Sequence, residues 1–212
     1  MRRRDMRNVN EYWGNGPRAE DDPYNGPESS ENQVSVANNR IYFYSEVTRP
    51  ECLAFNKGVQ ALSDAMVATA HNYGVPVPPI NMHINSYGGS VFAGLSSVDS
   101  ILAAPCPTHS IVEGCAASAA TIMSVVANKR SIRENSFMLI HQLSSGMWGK
   151  YEELKDDMRN NEVLMSTIKS IYTKHTQIPK KQLSDILKHD LWFDAKTCLE
   201  YGLVDEILSL GK

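Results

Sequence analysis

With 212 residues, 42% of them hydrophobic and 21% charged, the chain has the composition of an ordinary globular protein and the length for one domain with a real core, or a domain plus an extension. A net charge of −3 gives no electrostatic reason to expect nucleic acid or acidic lipid as a partner. Cys52, Cys106, Cys115 and Cys198 lie far apart with no C-x-x-C pair, which fits neither a zinc site nor a disulfide framework and points to reduced thiols.

Residues 1–33 read as a flexible N-terminal arm. The stretch "GNGPRAEDDPYNGPESSENQ" is rich in Gly, Pro, Asn and acids and has little to bury. The opening "MRRRDMRNVNEYWG" is basic but lacks the apolar stretch of a signal peptide. No run reaches the ~18 apolar residues of a membrane span, so a soluble, cytoplasmic protein is expected. Order is expected to begin at "NRIYFYSEV", a β-branched and aromatic strand. A helix from Pro50 to His71 follows, with Phe55, Val59, Leu62 and Met66 at helical spacing. "PPINMHINS" reads as a buried strand, "VFAGLSSVDSILAA" as a helix, and "THSIVEG" as a short strand leading to a small-residue helix near Ser118. Strands follow around "RSI" and "SFMLIHQ". A long charged helix spans about 151–176, with Leu154, Met158, Met165, Ile168 and Tyr172 in one stripe. Pro179 marks a break, and "GLVDEIL" reads as a last strand. Strands alternating with helices predict an α/β fold with mostly parallel pairing, in one domain over residues 34–212.

The stretch "IVEGCAASAAT" (111–121) surrounds one hydroxyl, Ser118, with small residues at a strand-to-helix junction. Serine becomes a nucleophile when a base takes its proton, a third group orients that base, and donors await the oxyanion. Free amides at a helix start suit the last role. Close packing of two elements is the competing explanation of the small residues. Among six histidines, His141 ends an apolar strand and opens the loop "QLSSGMWGK", where α/β folds gather chemistry. His83 and His109 read as core residues, and His71, His175 and His189 as solvated. Asp190 in "KHDLWFDA" suits the orienting acid. Asp194 reads as the cap of the short helix in "AKTCLEYG", and Asp205 is less well placed. In "INSYGGSVFAG" Gly88 and Gly89 mark a tight strand-to-helix turn. That turn could also present the Gly89 amide opposite the Ala119 amide across a reacting carbonyl.

Together "INSYGGSVFAG", "EGCAASAAT", "MLIHQ" and "DLWFDAKTCLEYGLVDEI" resemble the signature segments of the Clp protease proteolytic subunit family, over roughly residues 38–210. The resemblance implies a ClpP/crotonase-like fold of repeated β-β-α units with a protruding handle, the helix near 151–176. It implies a serine endopeptidase with Ser118 as nucleophile, His141 as base and Asp190 as acid, with the amides of Gly89 and Ala119 as the oxyanion hole. The segment "HQLSSGMWGKYEE" would line the substrate channel, with Leu143 and Gly146 contacting an extended polypeptide. No cofactor or metal is implied in this chain, and ATP would be used by a partner AAA+ unfoldase. The implied assembly is a homo-oligomeric ring, either two stacked heptamers or a ring mixed with paralogues. The chain departs from the family's pattern at Tyr87 and Leu143, where proline is usual, and at Ser145, where glycine is usual. The arm shows no likeness to the family's axial loops. Phage head-maturation proteases of the same superfamily are a second resemblance. A crotonase-type acyl-CoA enzyme and a non-catalytic ring subunit are the remaining alternatives.

Overall fold

The computed structural model describes residues 34–209, so the expected arm over 1–33 lies outside the described residues. Among these, Leu143–Met165 form one compact unit, and the residues before and after that segment form another.

The larger unit is organised on a sheet whose main path runs β1 (Val34–Ala37), β2 (Arg40–Phe43), β3 (Ile80–Ser86), β4 (Thr108–Ala117), β5 (Lys129–Arg133) and β8 (Glu206–Leu208). Pairing is parallel from β2 through β8, as the alternation of strands and helices predicts, whereas β1 joins β2 antiparallel through a turn at Asn38, φ 56°. β1 begins five residues before the expected start of order. Only Val34 of its four residues is buried, so it carries almost no pattern to read. Further along the edge of β4 that β5 occupies, β6 (Phe137–Leu139) pairs parallel with β4, and β7 (Trp192–Phe193) pairs antiparallel with β6.

Helix α1 (Arg49–Tyr73) starts where the Thr48 side chain accepts from the Glu51 amide, with Pro50 in the first turn, and stops at Gly74 in the left-handed region. Its Phe55 meets Phe43 of β2 edge to face at 5.6 Å, and both are fully buried. Helix α2 (Val91–Leu102), capped by Ser90, packs on α1 and on α3 (Ala119–Val125). At Gly94 a Cβ would come within 3.3 Å of Ala119 Cβ, so α2 and α3 are packed closely at this point. The close-packing explanation of the small residues is therefore correct for Ala119's side chain.

The long helix α4 (Tyr151–His175) has the expected bounds to within a residue. Of the expected stripe, Ile168 and Tyr172 are buried and Met158 is exposed. Helix α5 (Lys180–Ile186) begins directly after Pro179, and α6 (Ala195–Glu200) is capped by Asp194, whose Oδ1 accepts from the Thr197 amide at 2.8 Å. Among the described residues no helix is long and apolar enough to cross a membrane.

Candidate active site

Strand β4 changes neighbours along its length, and that change creates the site. Residues His109–Val112 pair with β5, whereas Cys115–Ala117 pair with β6. Between them the register against β3 shifts, from Ile84 opposite Val112 to Ser86 opposite Ala116. Gly114 (φ 74°) lies within the irregularity, its amide donating to Ser136 Oγ at 2.8 Å. The end of β4 then forms a small three-stranded patch with β6 and β7, in which Ala117, Leu139 and Trp192 stand side by side.

Each proposed catalytic side chain lies just past the same edge of that patch. Ser118 follows Ala117 by one residue, His141 follows Leu139 by two, and Asp190 precedes Trp192 by two on the antiparallel strand. Ser118 takes φ 54°, ψ −124°, a conformation rare for a residue with a side chain and costing about 1–3 kcal/mol. Bonds on both sides hold it there. Its amide donates to Leu139 O at 2.9 Å, and its carbonyl accepts from the Thr121 amide at 3.0 Å and from Thr121 Oγ1 at 2.6 Å. Thr121 Oγ1 in turn accepts from the hydroxyl of Tyr172, which is fully buried on α4. Burial raises the pKa of that phenol and keeps it a donor. Neither Thr121 nor Tyr172 was assigned a role in the site by sequence. The available signal was a hydroxyl at the end of the apolar stripe of α4.

The glycine turn closes on this corner. A Cβ on Gly88 (φ 98°) would lie 2.6 Å from Ala117 O, 2.6 Å from Ser118 Cβ and 3.1 Å from the Ala119 amide nitrogen. On Gly89 (φ 142°) it would lie 2.6 Å from Val47 O. The turn is tied to Val47 by Val47 N to Gly88 O and Ser90 N to Val47 O, both 2.7 Å. Among the described residues, neither the Gly89 amide nor the Ala119 amide donates to a hydrogen bond, which leaves two donors unspent beside the strained serine.

The histidine side is looser. His141 Nδ1 faces Asp190 Oδ1 at 3.6 Å, an ion-pair distance that is too long for a hydrogen bond. The His141 side chain is 22% exposed and that of Asp190 81%. The adjoining backbone is fixed by Gln142 N donating to Leu187 O at 2.7 Å. Among the described residues Ser118 Oγ makes no hydrogen bond, to His141 or to any other group. Catalytic hydrogen bonds that are long in a free enzyme commonly tighten only when substrate is bound.

The remaining candidates fall elsewhere. Leu143 and Gly146 belong to the Leu143–Met165 unit, where the Leu143 amide meets Met165 Sδ at 3.0 Å and Gly146 has open space where a Cβ would stand. His109 bonds Asn81 and Ser131 in the sheet, at 3.1 and 2.6 Å. His83 stacks on Tyr42 with Nδ1 3.1 Å from Glu113 Oε1. Asp205 pairs with Arg130. Cys115, three residues before Ser118, is buried, and burial raises its thiol pKa. For Cys198 the same cause pushes it up to about 12, so neither competes as a nucleophile. Among the described residues no cluster of His, Cys, Asp and Glu could hold a metal ion.

A family model described as Clp protease matches residues 62–210. The ATP-dependent Clp protease proteolytic subunit of Deinococcus radiodurans is 32% identical over 135 residues, 63% of this chain and 66% of that protein. The subunit of that name from Porphyromonas gingivalis is 33% identical over 139 residues, 65% of this chain and 63% of the relative. The chain thus spans slightly less than two thirds of the length of these relatives. The solved structure of a mutant ClpP1 from Listeria monocytogenes shares the fold, with a TM-score of 0.71 at 22% identity over 82% of this chain and 92% of that one.

Proposed function

The chain belongs to the Clp protease family, and from that premise we propose that it is a serine endopeptidase that hydrolyses unfolded polypeptides, with Ser118, His141 and Asp190 as its catalytic groups. The observation that carries this reading is the strained Ser118 corner, with Gly88 packed against the serine and the Gly89 and Ala119 amides free of other partners. His141 takes the Ser118 Oγ proton as Oγ bonds to the peptide carbonyl carbon. The oxyanion accepts from the amides of Gly89 and Ala119. The C–N bond breaks as His141 passes the proton to the leaving amine, and water, deprotonated by His141, then releases the acyl group. Asp190 holds the imidazole with Nδ1 towards it, a role that the 3.6 Å approach of Nδ1 to Asp190 Oδ1 supports. Leu143 and Gly146 contact the extended substrate, Gly146 having no side chain to obstruct a neighbouring backbone.

The chemistry needs no cofactor. In this reading the chain is one folded domain with a handle on α4 and works as a homo-oligomeric ring in the cytoplasm, fed by an AAA+ unfoldase that uses the ATP. The protease names of the matched relatives favour this over the acyl-CoA and head-maturation alternatives. The test is Ser118→Ala. Turnover of a fluorogenic peptide should fall by about 10⁴-fold or more, and labelling by a fluorophosphonate should vanish. Undiminished cleavage by that variant would refute the mechanism, and a ~24 kDa monomer in sedimentation would refute the ring.

A further inference from the structure

Two aromatic side chains at the edges of the catalytic corner leave much of their surface in water. Tyr87, immediately before Gly88, is 77% exposed, and Trp192, beside Leu139 on β7, is 45% exposed. Their rings meet edge to face, 6.3 Å between centroids and 85° between planes. They therefore form two walls of an open right-angled corner. One wall grows from the turn that carries the Gly89 amide, and the other from the strand that follows Asp190. Large aromatic surface left exposed in this way is the usual material of a recognition site, because covering it later yields binding free energy at little conformational cost.

We infer that Tyr87 and Trp192 form a subsite for a large apolar side chain of the substrate, that of the residue on the amine side of the cut. This rests on the peptidase reading. His141 must hand its proton to the leaving amine, so the amine half of the substrate lies towards His141 and the acid behind it, where Trp192 follows Asp190. The acyl half is held at Ser118 and the two free amides. An apolar occupant fits the corner because the ring faces offer no hydrogen-bond partner and their gain comes from excluding water. Folded proteins bury such side chains and unfolded ones expose them, so the subsite would favour unfolded substrate even without help from another chain.

The test measures kcat/KM for two peptide pairs, one differing only on the amine side of the cut (Phe against Ala) and one only on the acyl side (Leu against Ala). In the parent protein the amine-side pair should favour Phe. Tyr87→Ala or Trp192→Ala should lower that preference by about tenfold, the scale of one apolar contact in a pocket, and move the acyl-side ratio less. Tyr87→Phe, which keeps the ring, should retain it. Fluorophosphonate labelling of Ser118 verifies that each variant keeps its site. If Trp192→Ala loses labelling, Tyr87→Ala on its exposed turn decides the question. Unchanged amine-side ratios in labelled, active variants, or a change confined to the acyl side, would overturn the subsite and leave the peptidase standing. Absent labelling and cleavage in the parent would overturn both.

Discussion

The two halves of the catalytic corner are built to different tolerances. Around Ser118 the serine's own amide and carbonyl are both bonded, and Gly88 touches Ala117, Ser118 and the Ala119 amide with no room for a methyl group. Around His141 and Asp190 the backbone is held by Gln142 N donating to Leu187 O and His189 N donating to Ile186 O, but the side chains meet only at 3.6 Å and the acid is mostly in water. Oxyanion donors are effective only if they are in place before charge develops, whereas a proton shuttle can be brought into line by the substrate. In the proposed mechanism the rigid half would therefore set the geometry of attack, and the loose half would set when attack can occur.

That contrast orders the effects of mutation. Gly88→Ala would break the rigid half. Its methyl would meet backbone at 2.6 Å in a conformation alanine rarely adopts, so turnover should fall by about 10²–10³-fold, as when an oxyanion donor is lost, with fluorophosphonate labelling slowed in parallel. Asp190→Asn tests the loose half. An acid so exposed and distant is worth less than a buried, hydrogen-bonded one, and a loss of about 10²-fold in kcat is expected. A larger loss than that from Gly88→Ala would reverse the assignment of rigid and loose.

A smaller effect is expected where the rigid half is supported from behind. Thr121→Val removes the hydroxyl between Tyr172 and the Ser118 carbonyl and leaves a buried phenol without its partner. Stability should fall by about 1–3 kcal/mol in urea unfolding, with turnover down by about tenfold through Ser118's backbone. Tyr172→Phe should cost less on both measures, because it removes a donor without stranding one.

The smallest effect concerns acid. Glu113 sits on β4 five residues before Ser118 and accepts from Tyr44 OH at 2.6 Å and from Arg133 Nε and Nη2 at 3.1 and 3.0 Å. Burial raises its carboxyl pKa. Hydrogen bonds from Tyr44 and Arg133, with the His83 imidazole close by, outweigh burial and leave it below the ordinary 4.5. A carboxyl whose folded value is depressed contributes stability that is complete above its unfolded value and is lost as pH falls through the folded one. Urea midpoints should therefore drop between pH 6 and pH 3, and Glu113→Gln should flatten part of that drop. An unchanged pH profile would detach Glu113 from the stability of the rigid half.

How much of this was readable beforehand depended on whether the cause was local. Ser118, the glycine turn and the Asp194 cap were legible because the chemistry is written within a few residues: a strand, a tight turn, a helix start. The mostly parallel sheet followed from strands alternating with helices. β7 was not legible, because two residues carry no period and Trp192–Phe193 is a strand only by virtue of Leu139 and Met138 beside it. The support of Ser118 through Thr121 by Tyr172, 51 residues beyond Thr121, and the meeting of Tyr87 with Trp192, depend on which surfaces the finished fold brings together. Tyr87 was visible in sequence only as a departure from a familiar pattern.

The three-stranded patch also works as a set of addresses. Ser118, His141 and Asp190 are located by counting one, two and two residues from strand positions that hold one another in register. The chain between those strands, at 134–136 and 187–189, carries none of that count. Such an arrangement tolerates editing unevenly. Extra residues in the intervening loops would leave the three counts unchanged, while deleting one residue between Leu139 and His141 would turn the imidazole to the opposite side of the strand. The site thus depends on three short counts along the chain and not on the length of the loops between them.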